Sequence, residues 1–227
     1  MLNSENKVQT IIGLAGVKTS GKSTVATMIK KYLLDAKEVA LANKLKEASA
    51  VAFDVDRDAF DLQELKEVPF AQPKILTKES IEKVLSYFGK STDVETVYKD
   101  VIGMELETPR KIAQIVGTEI LRKFGSDIHC EGLDLDADTL IVSDMRFPNE
   151  FEYFDTISKG QNSVNFIPLY IQRNEAESYV TKDSHPSETS VFEFNKKCVK
   201  VDNNGSLGDT EDQIFNILKN FGLAEGK

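Results

Sequence analysis

The segment that most constrains the fold is the octapeptide GVKTSGKS at residues 16–23. It matches the pattern GxxxxGK[ST] at every fixed position. An apolar run at residues 8–15 precedes it, and residues 23–34 follow it with apolar side chains at helical spacing. A strand, a glycine-rich turn and a helix N-terminus in this order predict a loop that binds phosphate groups, and the flanking patterns weigh against a chance glycine-rich turn.

Each fixed residue of this loop has a chemical reason to be there. Gly16 and Gly21 let the backbone curl so that successive N–H groups point inward, and the helix N-terminus adds partial positive charge. Lys22 is placed to contact the β- and γ-phosphates of a polyphosphate. The Ser23 hydroxyl is placed to ligate the Mg²⁺ that bridges those phosphates. The segment therefore predicts a polyphosphate site with a divalent cation.

Apolar runs and helical patterns alternate along most of the chain, which is typical of an α/β protein. Further buried strands are predicted at residues 39–42, 139–143 and 166–172, with a weaker one at 198–201. Helices are predicted at 43–53, at 109–124 and near the C-terminus. In this last helix Thr210 and Gln213 fit a capping box, and an apolar face follows, formed by Ile214, Ile217, Leu218 and Phe221. We expect a three-layer α/β/α fold around a mostly parallel sheet.

Residues 54–107 have a different character, because they are charged, interrupted by proline and contain no strand-like run. One helix is predicted there, at residues 78–88. We interpret the segment as a mainly helical insertion in a single domain that covers residues 1–227; it could be a mobile flap beside the site or an exposed decoration. The polar residues 175–190 could likewise form a lid or an ordinary surface loop.

Composition excludes several classes of protein. The net charge is −9 and the pI about 4.9, which opposes indiscriminate binding to nucleic acid. No apolar run approaches the ~18 residues needed to cross a membrane, and the N-terminal residues lack the pattern of a signal peptide. Two cysteines and two histidines are too few for a disulfide framework or a structural zinc site. We expect a soluble, cytoplasmic protein without nucleic-acid or membrane partners.

Two predicted strand ends carry residues that suit a phosphate site. Asp144 ends the strand at 139–143 and could hold the Mg²⁺ shell, and Arg146 follows it and could grip an anion. Arg173 ends the strand at 166–172. Ligands gather beyond the carboxyl ends of parallel strands, so these residues are expected near the loop. Each could instead form a surface ion pair or a helix cap.

The sequence resembles the deoxynucleoside monophosphate (dNMP) kinases of tailed bacteriophages and related bacterial proteins, a P-loop kinase family. The resemblance is carried by separate pieces that together span nearly the whole chain: GVKTSGKS, LKE at 45–47, TPRKIAQIVGTE at 108–119, SDI at 126–128, SDMRFPNE at 143–150, DSHPSE at 183–188 and DNNGSL at 202–207. Only the first piece is generic. The order and spacing of the others make the resemblance specific.

This resemblance implies that the γ-phosphoryl group of ATP is transferred to a dNMP to give dNDP and ADP, in the host cytoplasm if the protein is phage-encoded. It implies the following ATP-binding residues: Gly16, Thr19, Ser20, Gly21, Lys22, Ser23 and Thr24. Ser23 and Asp144 would hold Mg²⁺, and Lys22, Asp144 and Arg173 would act in catalysis. The implied substrate-binding residues are Lys18, Lys46, Arg110, Gly117, Thr118, His129, Asp144, Arg146 and Glu150.

Alternatives remain for several of these residues. Lys46 could be a helix-surface lysine, Arg110 a helix N-terminal residue and Gly117 a packing position. His129 stands where the family usually has Trp, so it either contacts the base or is a structural histidine, and base selectivity stays open. The 175–190 segment has no arginine, so transition-state charge would come from Arg173 alone or from a residue of the insertion such as Arg57.

Three further expectations complete the sequence analysis. His185, before Pro186, is expected to shape the turn of the lid-like segment. The family likeness is compatible with a homodimer. The competing functions are a kinase for another small phosphorylated acceptor, such as a coenzyme precursor, and a regulatory or packaging NTPase.

Overall fold

The structure is a computed structural model that describes residues 9–161 and 163–225. It forms two compact units. The first, here called the sheet unit, consists of the described residues up to 40 and from 134 onward, and the second, the inserted unit, consists of residues 41–133. The segment 54–107 lies within the inserted unit, which begins earlier and ends later.

The elements follow one another along the chain in an alternating order. Up to residue 61 they are β1 (Gln9–Ala15), α1 (Lys22–Tyr32), β2 (Lys37–Val39), α2 (Ala42–Phe53) and α3 (Asp58–Asp61). The rest of the inserted unit has β3 (Lys74–Ile75), α4 (Lys78–Tyr87), α5 (Val94–Val97), β4 (Glu105–Leu106), α6 (Pro109–Ile115), a π-helix (Val116–Leu121), α7 (Arg122–Phe124) and α8 (Ile128–Glu131). The sheet unit resumes with β5 (Thr139–Met145), α9 (Pro148–Gly160), β6 (Val164–Gln172), α10 (Asn174–Ser178), α11 (Pro186–Thr189), two 3₁₀ turns (Ser190–Glu193 and Asn195–Lys197), β7 (Val199–Asp202) and α12 (Leu207–Asn220).

The sheet unit is built on five strands in the order β2-β5-β1-β6-β7. Every neighbouring pair in this sheet is parallel. The glycine-rich loop therefore follows the central strand, β1, and the carboxyl ends of β5 and β6 lie on either side of it. This arrangement confirms the predicted parallel sheet and gathers the polar strand ends at one edge.

Helices cover both faces of this sheet. Alternate residues of β1 such as Ile12 and Leu14 form one face and are buried with Val25 of α1 and Ile214 of α12. On the opposite face the ring of Phe154 in α9 lies 5.7 Å from that of Phe166 in β6. Side chains alternate between the faces of a strand, so β6 supplies Phe166 to one layer and Ile167 to the other. The predicted three-layer α/β/α fold is confirmed.

The inserted unit has an apolar core of its own. Tyr98 is fully buried in this core, and its hydroxyl donates to the carbonyl of Ile120 at 3.0 Å. The predicted helix at 78–88 is confirmed as α4. The expectation of a segment without strands is wrong, because β3 and β4 pair antiparallel through Lys74↔Leu106 and Ile75↔Glu105. Strands of two residues are too short to show a recognisable alternation in the sequence.

Four other details of the sequence prediction are corrected. The second strand ends at Val39, and Ala42 already begins α2. The helix at 109–124 is α-helical only in part, because residues 116–121 form a π-helix. The capping box of α12 is Ser206 with Asp209, one turn before the predicted pair. The helix after the loop ends at Tyr32.

Other boundaries agree more closely with the prediction. The strands at 139–143, 166–172 and 198–201 are present as β5, β6 and β7. Val8, the first residue of the predicted strand at 8–15, lies outside the described residues. Within the described ranges, no helix combines the length and the apolar character that crossing a membrane requires.

Candidate active site

The loop after β1 is held in a backbone conformation that few residues adopt. Gly16, Thr19 and Gly21 have φ angles of 151°, 61° and 102°. A Cβ atom on Gly16 would lie 2.6 Å from the Ser20 hydroxyl oxygen and 2.8 Å from the carbonyl of Ile171, so only glycine fits. Positive φ is uncommon for threonine, and such strain is concentrated at functional sites.

Lys22 folds back onto the loop that precedes it. Its Nζ donates to the carbonyls of Gly16 and Val17, each at 2.7 Å. Burial of the ammonium group and the nearby Arg146 guanidinium lower the pKa of Lys22 to about 7, although Glu188 and Asp144 act in the opposite direction. The ammonium group is therefore held by carbonyl oxygens at the place where the loop pattern predicts contacts to phosphate.

Glu188, from α11, links the loop to the residue after β5. One carboxylate oxygen accepts from the backbone N–H of Lys18 at 2.7 Å, and the other accepts from Nη1 of Arg146 at 2.6 Å. Burial opposes ionisation of this carboxyl group, but Arg146, the Lys18 N–H and Lys22 outweigh it, so the pKa of Glu188 is below its ordinary value. The structure thus brings the Lys18 peptide and the side chains of Lys22 and Arg146 together near one carboxylate.

Asp144 and Ser23 are the residues that could hold a metal ion. β5 is longer than predicted, so Asp144 is the second-last residue of this strand and does not follow it. Asp144 lies near enough to Lys22 to oppose the lowering of the Lys22 pKa. Ser23 and Thr24 lie exposed in the first turn of α1. In the described part of the chain there is no cluster of three or more His, Cys, Asp or Glu side chains suited to a metal.

Glu150 and Arg173 lie at the same edge in different settings. The buried Glu150 carboxylate accepts from the backbone N–H groups of Arg146 and Phe147, at 2.7 and 3.1 Å, and so fixes the turn between β5 and α9. Arg173 follows β6 and is partly exposed, with Nη2 at 3.1 Å from a carboxylate oxygen of Glu175. The hydrogen bonds from the Arg146 and Phe147 N–H groups connect Glu150 to the backbone that carries Arg146.

Two candidate cations of the inserted unit are paired with acids of the same unit. Lys46 Nζ lies 3.0 Å from a carboxylate oxygen of Asp61, and Arg57 contacts the other oxygen of Asp61. Arg110 forms an ion pair with Glu67 through Nε. The two acids are exposed, whereas the side chains of Lys46 and Arg110 are only 21% and 22% exposed.

Gly117, Thr118 and His129 form a second group in the inserted unit. Gly117 and Thr118 belong to the π-helix, and such segments are frequent at functional sites. The Thr118 hydroxyl donates to the carbonyl of Gln114 at 2.8 Å, and His129 Nε2 lies 3.4 Å from the carbonyl of Gly117. His129 is buried with its ring edge-on to Phe88. The His129 side chain therefore contacts both the π-helix and the Phe88 ring.

Sequence reasoning assigned no role to two residues that the structure places at the loop. Glu188 is one, and Asn203 is the other, because Asn203 Nδ2 donates to the Ser20 carbonyl at 2.8 Å. Both lie in pieces that carry the family resemblance, DSHPSE and DNNGSL. Asn203 also follows the end of β7, so the rule applied to Asp144 and Arg173 would have found it.

The chain is similar to a protein of Acanthamoeba polyphaga mimivirus named "Putative deoxynucleotide monophosphate kinase". The two proteins are 25% identical over 232 residues, which cover 92% of this chain and 96% of the viral protein. No model of a protein family matches the chain. The similarity supports a nucleotide kinase function in general terms. The choice of nucleotide and the bacteriophage type of the resemblance stay predictions.

Proposed function

We propose that this protein is a dNMP kinase that transfers the γ-phosphoryl group of ATP to a dNMP, giving dNDP and ADP. The observation that carries the proposal is the Arg146 guanidinium near Lys22, at the edge of the sheet that holds the glycine-rich loop, on a carboxylate that also accepts from the Lys18 peptide. A loop that only binds ATP needs one lysine. A second cation beside it suits a second phosphate group, and the name of the mimivirus protein points to the same class of acceptor.

The ATP side of the site would be formed by the loop residues. Gly16 and Gly21 give the curled backbone, Thr19, Ser20, Ser23 and Thr24 complete the loop and the first turn of α1, and Lys22 would exchange its two carbonyl partners for phosphate oxygens. The buried Ser20 hydroxyl oxygen has no hydrogen-bond partner among the described residues. An unsatisfied polar atom inside the loop is consistent with a site made for a polar ligand.

Ser23 and Asp144 fit the requirements of a Mg²⁺ site. Mg²⁺ usually takes one or two protein oxygens together with phosphate oxygens and water, and this hard cation prefers a hydroxyl and a carboxylate over nitrogen or sulfur ligands. When bound, Mg²⁺ offsets negative charge on the phosphates. Lys22 and Arg173 would stabilise the charge that develops on the transferred group, and Asp144 would position the cation.

We extend the proposal to the acceptor residues as the resemblance implies them. Lys18, Arg146 and Asp144 would contact the dNMP from the sheet unit, with Glu150 supporting Arg146. The resemblance implies five further acceptor residues, all of them within the inserted unit: Lys46, Arg110, Gly117, Thr118 and His129. In this proposal the chain is a single kinase domain, residues 54–107 are its substrate-side insertion and residues 175–190 are its lid-like loop.

One experiment tests this function directly. The protein is incubated with Mg²⁺, ATP and each of the four canonical dNMPs, and the nucleotides are separated by ion-exchange chromatography. We expect equimolar ADP and dNDP with at least one dNMP, and a rate of dNDP formation lower by about a hundredfold or more with the Lys22→Ala variant. ADP formation without a phosphorylated nucleotide would contradict the proposal and favour a regulatory NTPase.

A further inference from the structure

We propose that Glu188 is a positioning residue for the acceptor phosphate, because it holds Arg146 and the Lys18 peptide in the arrangement that the phosphate needs. This inference rests on the function proposed above and deepens it. It adds a residue to which the sequence analysis assigned no role. Its starting point is that a single side chain satisfies donors from two separate segments of the sheet unit.

The geometry fixes both partners of Glu188. Its two carboxylate oxygens are used separately, one at 2.7 Å from the Lys18 nitrogen and the other at 2.6 Å from Nη1 of Arg146. The Arg146 Nη1 also lies 3.4 Å from the carbonyl of Ser187. An arginine side chain that is held at two points before the ligand arrives loses less rotational freedom when the ligand binds. The same argument applies to the Lys18 peptide.

Glu188 is itself held in place by its surroundings. It belongs to α11, whose first turn is capped by His185, because His185 Nδ1 accepts from the Ser187 N–H at 3.2 Å. The Glu188 side chain is only 14% exposed. The lid-like segment at residues 175–190 therefore places the Glu188 carboxylate at the edge of the sheet.

The charge of Glu188 argues that it acts through Arg146 and does not bind the phosphate itself. A carboxylate repels a phosphate group, so direct contact would weaken binding. A guanidinium carries five N–H groups, and the two contacts described above use only Nη1. The hydrogens on Nη2 and Nε suit an anion that approaches from another side of the group.

A different role of Glu188 predicts the opposite change in the acceptor KM. If the Glu188 carboxylate merely occupied the phosphate position and had to be displaced, its removal would strengthen acceptor binding. A positioning residue, in contrast, weakens acceptor binding when it is neutralised. The direction of the change in the acceptor KM therefore decides between these roles.

The test uses the full chain with Glu188→Gln, Glu188→Asp and a matched control, Glu193→Gln, which changes an exposed glutamate of the adjoining 3₁₀ turn. With the best dNMP of the unmodified protein, we expect Glu188→Gln to raise the acceptor KM about tenfold or more and to change the ATP KM less than about twofold. Glu188→Asp, which keeps the charge, should restore part of the loss. Glu193→Gln should have no effect on either KM.

A double-mutant cycle tests whether Glu188 acts through Arg146. In an Arg146→Ala background, Glu188→Gln should change the acceptor KM by less than about threefold, because the group that it positions is gone. A full tenfold effect in that background would overturn the inference. An unchanged or lower acceptor KM in Glu188→Gln alone would also overturn it.

Two further results distinguish a failure of the Glu188 inference from a failure of the proposed function. If the unmodified protein makes no dNDP, the proposed function is wrong and this inference is wrong with it. If it makes dNDP while Glu188→Gln keeps the normal acceptor KM, only this inference is wrong. Should Glu188→Gln not fold by circular dichroism, Glu188→Asp carries the test, and an acceptor KM equal to that of the unmodified protein would count against the inference.

Discussion

Lys22 has a local reason to lose its proton more readily in the free protein than in a complex with a polyphosphate. Its ammonium group is buried, lies near Arg146 and is stabilised by two carbonyls and by more distant carboxylates. These influences leave its pKa at about 7, well below the ordinary value for lysine. A polyphosphate brings several negative charges to the same place, so the bound state favours the protonated form.

ATP binding should therefore be linked to proton uptake by Lys22. At pH 8 to 9 most free protein carries neutral Lys22, and we expect uptake of up to about one proton per ATP, with little uptake at pH 6. The ATP Kd should accordingly rise as pH increases above about 7. Isothermal titration calorimetry in two buffers of different ionisation enthalpy measures the uptake. The Lys22→Ala variant is the control, and equal proton uptake in it would assign the effect to another group.

Replacement of Lys22 should separate catalysis from folding. We expect Lys22→Ala to lower kcat by about a hundredfold or more, because the lost group acts on charge in the transferring phosphoryl. The melting temperature should not fall, since the variant removes a buried charge. Lys30→Ala, on the exposed side of α1 and paired with Glu38, is the matched control and should keep normal kcat. Steady-state kinetics with normal turnover in Lys22→Ala would remove this role.

At the scale of elements, Asn203 joins the glycine-rich loop to two neighbouring segments. Its Nδ2 donates to the carbonyl of Ser20 and its Oδ1 accepts from the Thr210 hydroxyl of α12 at 2.9 Å. Its backbone N–H donates to the carbonyl of Gln172 at the end of β6, also at 2.9 Å. The loop conformation thus depends on an amide from the segment that leaves β7.

Asn203→Asp should weaken ATP binding because it replaces the donor to the Ser20 carbonyl with a negative carboxylate oxygen. We expect the ATP KM to rise about tenfold, with a smaller change in the dNMP KM. Ser206→Ala removes the nearby N-cap of α12 and should cost about 1 kcal/mol of stability while leaving the ATP KM unchanged. Kinetics with each substrate varied in turn, together with urea unfolding, compares the two. A dNMP KM that rises as much as the ATP KM would contradict this role.

The secondary-structure elements were predicted well where the local sequence determines them. They were predicted poorly where contacts with another segment of the chain determine their bounds. The loop, α1, β5 and β6 follow from continuous patterns in the sequence. Two S/T-x-x capping patterns compete at the start of α12, and the contact of Thr210 with Asn203 places Thr210 inside the helix. The π-helix likewise depends on packing within the inserted unit and leaves no sequence period of its own.

The same distinction explains which residues of the candidate site could be predicted from the sequence. The loop residues could be predicted because they are adjacent in the sequence. Glu188 could not, because its partners Lys18 and Arg146 are separated from it by 170 and 42 residues, and nothing in a single sequence shows that they meet.

At the scale of the whole molecule, the net charge favours the proposed kinase function over that of a nucleic-acid-stimulated NTPase. A chain with a net charge of −9 repels polyanions, so its cations must act locally. We expect added duplex DNA or single-stranded RNA to leave ATP consumption unchanged within about twofold at low salt. A coupled ADP assay with the best dNMP present and absent measures this. Severalfold stimulation by nucleic acid without a dNMP would favour the NTPase.

The parallel pairing of β1 with β5 sets the order in which this protein can fold during synthesis. Residues 10 and 139 are partners in that pairing, so β1 leaves the ribosome more than a hundred residues before its first neighbour exists. At ordinary translation speeds this delay is on the order of ten seconds. The inserted unit has its own core and is complete before then. The glycine-rich loop is thus synthesised well before the strands that flank it, and a nascent chain stalled before residue 139 should not bind ATP.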